Sequence, residues 1–351
     1  MTPKPPHGAN PPSAGFVDFS SNLHPAPPPA EILSAAAAGL SESTRYPEPR
    51  AETIRAAYSD RLNLPPEQIL AGPGSSSLLY HILFALRPEI VVLPTPCFSE
   101  YPFAAARAGA RVILHAAEAP AKLPPHACVI LSNPCNPTGK VLPEETLAAW
   151  LREARDAEGF LIMDEAYADF SDAGPREWPA KEFDTYPLII LRSPLKFYSL
   201  PGIRAGIALM PADIADRVES DLPPWPLSQA AGAAVKAALE MAPEKVRDRR
   251  RRIRVWADSF RKAFRTLPRV APVESDIHFF LIRLPAEGPD GPEVSRRLAD
   301  HHLWIRTHAG MPGLTRHDIR VSTRLPEENG RLIGAMKTIL QERPDGALRG
   351  L

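Results

Sequence analysis

Lys196 is the residue around which chemistry is easiest to build. It lies in LIILRSPLKFYSLPGIRAG, residues 188–206, where an apolar run of strand length leads into a polar turn. A buried strand would hold that lysine at its carboxyl end, the edge at which open α/β sheets bind ligands. An amine placed there can form a Schiff base with an aldehyde, and Arg204, eight residues on, is available to an anion. GPGSSS, residues 72–77, precedes the apolar stretch LLYHILFAL, so Ser75, Ser76 and nearby backbone N–H groups can surround a phosphate at a helix start. Asp164 in DEAYADF could pair with a protonated ring nitrogen. Asn136 in NPCNPTG and Tyr167 could bond to a ring hydroxyl, and Phe98 in PTPCFSEY could cover a planar face. Each group taken singly has an ordinary alternative: a surface lysine, a capped turn, a core aromatic, a helix cap.

The elements that must position these groups follow a repeating pattern. Apolar runs at 90–93, 128–132, 160–163 and 188–192 each end in a polar turn, and helical stretches are expected at 100–108 and 143–158. That alternation predicts a mainly parallel α/β sheet with its functional groups gathered at the strand carboxyl ends. Further helices are expected at 30–39, ending at Gly39, and at 51–60, 226–240 and 244–264. The last third predicts a smaller α+β unit with strands at 277–283, 304–307 and 319–324 and helices at 291–301 and from 326. Arg306 and Arg320 in those strands suit two substrate anions, with ordinary surface pairing as the alternative. The first 29 residues hold nine prolines, so this arm is either loose or held against the rest, and His7, Asn22 and His24 are the polar groups it could carry to a substrate. The expected division is an arm and part of a small domain at 1–40, a large cofactor domain at 41–240, and an interdomain helix with a small substrate domain at 241–351.

Composition narrows the class. Lys plus Arg and Asp plus Glu each number 41, so the whole molecule offers no net positive field to nucleic acid. Six arginines between Arg247 and Arg254 read as a solvated helix face. The three cysteines and the scattered histidines lack metal-ligand spacing, and no metal is expected. Neither a spanning apolar segment nor a signal-peptide core is visible, so no membrane partner and a cytoplasmic address are expected.

Lysine, acid, ring-oxygen donors and phosphate cup together, with Ser193 added to the cup, describe pyridoxal 5'-phosphate. NPCNPTG, DEAYADF, SPLKFYSLPGIR and the Lys196 to Arg204 spacing resemble the fold-type I pyridoxal-phosphate enzymes of the class I/II aminotransferase group. The resemblance implies that Lys196 carries the cofactor, that Asp164 meets its ring nitrogen, that Asn136 and Tyr167 meet its ring oxygen, and that Phe98 covers the ring. Ser75, Ser76, Ser193 and Arg204 would hold its phosphate. Tyr46 in RYPEP would reach the phosphate of a second subunit, which implies a homodimer with shared active sites. DFSSNLHP, PCFSEY and IRTHAGMPGL followed by IRVSTRLPEEN are similar to the branch that contains threonine-phosphate decarboxylases of cobalamin biosynthesis and histidinol-phosphate aminotransferases. The implied substrate is a phosphorylated amino acid, L-threonine O-3-phosphate for decarboxylation, or histidinol phosphate or another amino acid for transamination with 2-oxoglutarate. His7 and Arg306 would hold its phosphate and Arg320 its carboxylate. HPAP at 24–27 and Leu195 depart from the pattern of that branch.

Overall fold

The computed structural model describes residues 11–116, 120, 122–178, 180–308 and 311–341. Strand β1 (Val17–Asp18) precedes helices α1 (Ala30–Ser41) and α2 (Glu52–Leu62). An alternating run follows: β2 (Ile69–Gly72), α3 (Ser75–Leu86), β3 (Ile90–Pro94), α4 (Glu100–Arg107), β4 (Arg111–His115), β5 (Cys128–Ser132), α5 (Glu144–Asp156), β6 (Phe160–Asp164), α6 (Ala180–Thr185), β7 (Leu188–Arg192) and β8 (Gly206–Leu209). Helices α7 (Ala212–Ser220), α8 (Gln229–Leu239) and α9 (Pro243–Phe264) lead to β9 (Ala271–Pro272), β10 (Phe279–Arg283), α10 (Gly291–Ala299), β11 (Leu303–Trp304), β12 (Arg306–Thr307), β13 (Asp318–Ser322) and α11 (Pro326–Gln341). No helix among the described residues is long and apolar enough to cross a membrane.

Seven strands form one sheet in the order β2-β8-β7-β6-β5-β3-β4. Neighbours from β4 to β7 are parallel, and β8 runs antiparallel to both β7 and β2. Alternate residues of β5 and β7 enter opposite cores: Val129, Leu131, Leu188 and Ile190 on one face, Cys128, Ile130, Ile189 and Leu191 on the other. Burial on both faces explains why these strands read as continuous apolar runs. The register sets Ser132 beside Asp164 and Asp164 beside Leu191, so the turns leaving β5, β6 and β7 emerge together.

A second, antiparallel sheet has the order β12-β13-β10-β9. Phe280, Ile282, Ile319 and Val321 pack there against Phe260 and Phe264 of α9 and Leu332 and Met336 of α11. The described part of the proline-rich arm is held to this unit: β1 pairs in parallel with β11, and Phe19 is wholly buried in its core.

Two expectations change. The strand expected over 304–307 is divided, because the chain exchanges partners at buried Ile305, leaving β1 as its neighbour and taking β13. Gly39 does not end its helix, which continues to Ser41. A Cβ at Gly39 would lie 2.6 Å from the Gln229 carbonyl oxygen, so the glycine admits the close approach of α8.

The ends of β6 and β7 are locked by a buried ion pair. Glu165 accepts from Arg192 Nε at 2.9 Å and from Trp178 Nε1 at 2.8 Å, and Arg192 Nη2 donates to the Arg176 carbonyl at 2.6 Å. Glu165 follows Asp164 and Arg192 precedes Ser193, so the pair fixes two functional turns at once. Glu165→Ala leaves a buried guanidinium without its carboxylate and is expected to lower stability by about 3–5 kcal/mol. Denaturant titration of the cofactor-loaded protein measures this, and an unchanged midpoint would contradict the role.

Candidate active site

Gly74 ends the turn after β2 with φ +108°, a conformation that suits a residue without a side chain, and α3 starts at Ser75. Ser75 and Ser193 share a hydrogen bond of 2.7 Å between their hydroxyls. A Cβ on Gly74 would meet Arg204 Nη2 at 2.6 Å, which places the guanidinium on the helix start. Gly206 allows the same closeness, since a Cβ there would lie 2.3 Å from Ser75 N. Hydroxyls, helix N–H groups and a guanidinium therefore meet in one place, which fits the phosphate of pyridoxal phosphate. Ser76 is the next residue of that first turn.

Lys196 stands a few residues beyond this cup. Its Nζ lies 4.5 Å from the ring centre of Tyr167, and Tyr167 packs edge-on against Phe279 at 4.9 Å. Asp164, at the end of β6, accepts from the Tyr101 hydroxyl at 2.8 Å and from the Ala166 N–H at 2.9 Å. Burial and the Asp164 charge push the Tyr101 phenol well above its usual pKa, so it remains a proton donor. Phe98 is half-buried and meets Tyr101 edge-on at 5.5 Å. Amine, carboxylate, aromatic ring and phosphate cup thus lie at the ends of neighbouring strands, and as a set of chemical groups they fit the cofactor's four recognisable parts.

Arg320 closes the site from the small unit. Its Nη1 donates to Asn136 Oδ1, and its Nη2 donates to the Ser20 carbonyl at 2.8 Å. Asn136 is thereby tied to the small sheet through its side-chain oxygen. The β12–β13 register sets Arg306 directly opposite Arg320. Burial pushes Arg320 down to about 10, with Arg306 adding to the effect, and burial also lowers Arg306. Asn22 is buried nearby in sequence to the Ser20 contact, and both of its side-chain polar atoms lack a hydrogen-bond partner among the described residues. His7 lies outside the described residues.

His24 is placed differently from expectation. Its Nε2 is bonded to the Arg249 carbonyl at 3.2 Å and its Nδ1 accepts from the Ala26 N–H at 3.1 Å, so both ring nitrogens serve the scaffold rather than a substrate. Burial pushes its pKa down to about 3, which keeps the ring neutral. Arg249 completes this joint, donating to the carbonyls of Phe197, Pro27 and Ala26 at 2.9, 3.1 and 3.1 Å. The HPAP turn is thereby tied to the residue after Lys196. Leu195 is buried in the core of the large sheet.

Sequence reading missed Tyr101 and Arg249. The second aromatic position of PCFSEY, whose backbone N–H donates to the Phe98 carbonyl at 3.1 Å, was a usable signal for Tyr101. Arg249 was hidden in a basic run read as solvated surface, whereas Arg249, Arg250 and Arg254 all donate to backbone carbonyls. Tyr46 stands apart on the surface, 77% exposed and stacked on Trp225 at 4.5 Å. The backbone N–H of Trp225 donates to the Pro49 carbonyl at 3.0 Å, which holds the two aromatic loops together.

Similarity to known proteins extends over nearly the whole chain. The family described as aminotransferase class I and II matches residues 14–335. A threonine-phosphate decarboxylase of Salmonella typhimurium is 29% identical over 344 residues, covering 93% of this chain and 91% of the relative. A histidinol-phosphate aminotransferase of Methanoculleus marisnigri is 30% identical over 338 residues, covering 92% and 90%. The crystal structure of L-threonine-O-3-phosphate decarboxylase from Porphyromonas gingivalis superposes with a TM-score of 0.83 at 24% identity, covering 92% of this chain and 99% of that one. The mainly parallel sheet with its smaller α+β unit is the fold-type I architecture, and the chain belongs to the class I and II aminotransferase family and is a pyridoxal-phosphate enzyme.

Proposed function

We propose that this enzyme decarboxylates L-threonine O-3-phosphate to 1-aminopropan-2-ol O-2-phosphate. The observation that carries the reading is the Arg306–Arg320 pair. Like charges directly opposed across two strands repel one another, and burial adds to the cost, so the pair favours a ligand with two anionic ends. L-threonine O-3-phosphate has a carboxylate for Arg320 and a phosphate for Arg306, with His7 and Asn22 as further polar contacts. The Salmonella typhimurium relative bears the name of this activity.

Bound pyridoxal phosphate supplies a protonated ring that accepts the electron pair left when carbon dioxide departs. Lys196 would hold the cofactor through Nζ and, when its amine is free, would deliver a proton to the former α-carbon of the substrate. Asp164 would hold the ring nitrogen, and Asn136 and Tyr167 the ring oxygen. Phe98 would cover the ring, while Ser75, Ser76, Ser193 and Arg204 would hold the phosphate. Arg320, fixed by Asn136 and Ser20, sets the direction of the substrate carboxylate and therefore which bond breaks. Tyr46 would complete the phosphate site of a second copy, making the working unit a homodimer.

Transamination is the second reading. The Methanoculleus marisnigri relative is named for it, and two arginines also suit the dicarboxylate 2-oxoglutarate.

Tyr101→Phe keeps the ring but removes the donor to Asp164, a bond to a charged group worth about 1.5–3 kcal/mol. Turnover is expected to fall at least about tenfold with cofactor content retained. Steady-state kinetics on the cofactor-loaded variant measure this, and wild-type turnover would remove Tyr101 from the account. A mass-resolved product assay with L-threonine O-3-phosphate tests the reaction itself. Carbon dioxide and the phosphorylated amino alcohol are expected without 2-oxoglutarate. Glutamate formed only when that acceptor is present, with no decarboxylation, would establish the transaminase instead.

A further inference from the structure

His308 lies two residues beyond Arg306, at the end of the ladder that opposes Arg306 to Arg320. Its ring is buried, with Nδ1 against Met311 Sδ, and among the described residues Nε2 has no hydrogen-bond partner. The charges that act on it are Arg320 of β13 and Arg306 of β12, both positive. Among the described residues, Arg320 spends its hydrogen bonds on two neutral acceptors, and its Nε has none. Asp18, the acid that acts on Arg320, already accepts from Ser20 and Ser21. Two guanidinium groups therefore act on an imidazole whose Nε2 has no partner among the described residues.

We infer that His308 is a specificity-determining residue that donates from Nε2 to a phosphoryl oxygen of the substrate, beside Arg306. The inference rests on the reading that the substrate is phosphorylated. A carboxylate brings one charge and two oxygens, whereas a phosphate monoester brings nearly two charges and three oxygens, so a third donor separates them. Without ligand, burial and the two arginines hold the His308 pKa well below the usual histidine range and the ring is neutral. A bound dianion offsets both arginines and raises that pKa. The ring then takes up a proton, and Nε2 can donate while Nδ1 stays against Met311.

The test uses cofactor-loaded enzyme and two ligands without an amine: 2-phosphoglycolate, with a phosphate and a carboxylate, and succinate, with two carboxylates. Calorimetry at about pH 8, where the phosphate is already a dianion, is run in two buffers of different ionisation enthalpy. Wild type is expected to prefer 2-phosphoglycolate and to take up protons on binding it. His308→Gln retains an amide donor but cannot take up a proton. It is expected to weaken 2-phosphoglycolate binding about tenfold, to abolish the proton uptake, and to leave succinate binding within about twofold, which also shows that the variant is folded. A His308→Gln protein with wild-type preference and proton uptake overturns the inference. Arg306→Gln separates the two levels of the argument. If it reduces the preference while His308→Gln does not, only the His308 inference fails; if wild type shows no preference, the phosphorylated-substrate reading fails and takes the inference with it.

Discussion

The site depends on one buried guanidinium. Arg320 belongs to β13 of the small sheet, donates to Asn136 in the NPCNPTG turn of the large sheet, and donates to Ser20 in the amino-terminal arm. Three pieces of chain that are distant in sequence meet on that side chain. Neutral acceptors satisfy its geometry without neutralising its charge, and burial lowers its pKa to about 10, which still leaves it charged near neutrality. A buried cation held in this way is stabilised further by an anion, and the opposed Arg306 strengthens that preference. The joining of the two sheets and the seating of the Ser20 segment consequently rest on one buried charge.

The large sheet solves the complementary problem of bringing the candidate cofactor groups together. Parallel strands deliver every turn to the same edge, so Asn136, Asp164 and Ser193 converge although they follow different strands. Glu165 with Arg192 fixes two of those turns, and Tyr101 fixes the Asp164 carboxylate. Arg249 ties the turn after Lys196 to the arm through three carbonyls. Asn136, Tyr167, Ser193, Lys196 and Arg204 lie in turns, whereas Asp164 ends β6, Ser75 begins α3, and Arg306 and Arg320 lie in strands of the small sheet.

Much of this was legible in local sequence. Strand-length apolar runs, each ending in a polar turn, carry their own periodicity, and Lys196, Asp164, Asn136 and the Ser75 turn lie within short motifs. Long-range pairing left no such mark. His24 reads as a polar group free for a ligand until Arg249 and Ala26 occupy both its nitrogens. Gly39 reads as a helix stop until α8 is seen pressed against it. The residues 304–307 have strand character throughout, yet their partners belong to different sheets, and only the position of the arm reveals the break at Ile305.

The central claim is that Arg320 and Arg306 receive the two different anions of one substrate. A crystal structure of the cofactor-loaded enzyme with 2-phosphoglycolate tests it most directly. The account predicts the carboxylate on Arg320 and the phosphate on Arg306; a ligand bound in the reverse sense, or with neither end on these arginines, would contradict it.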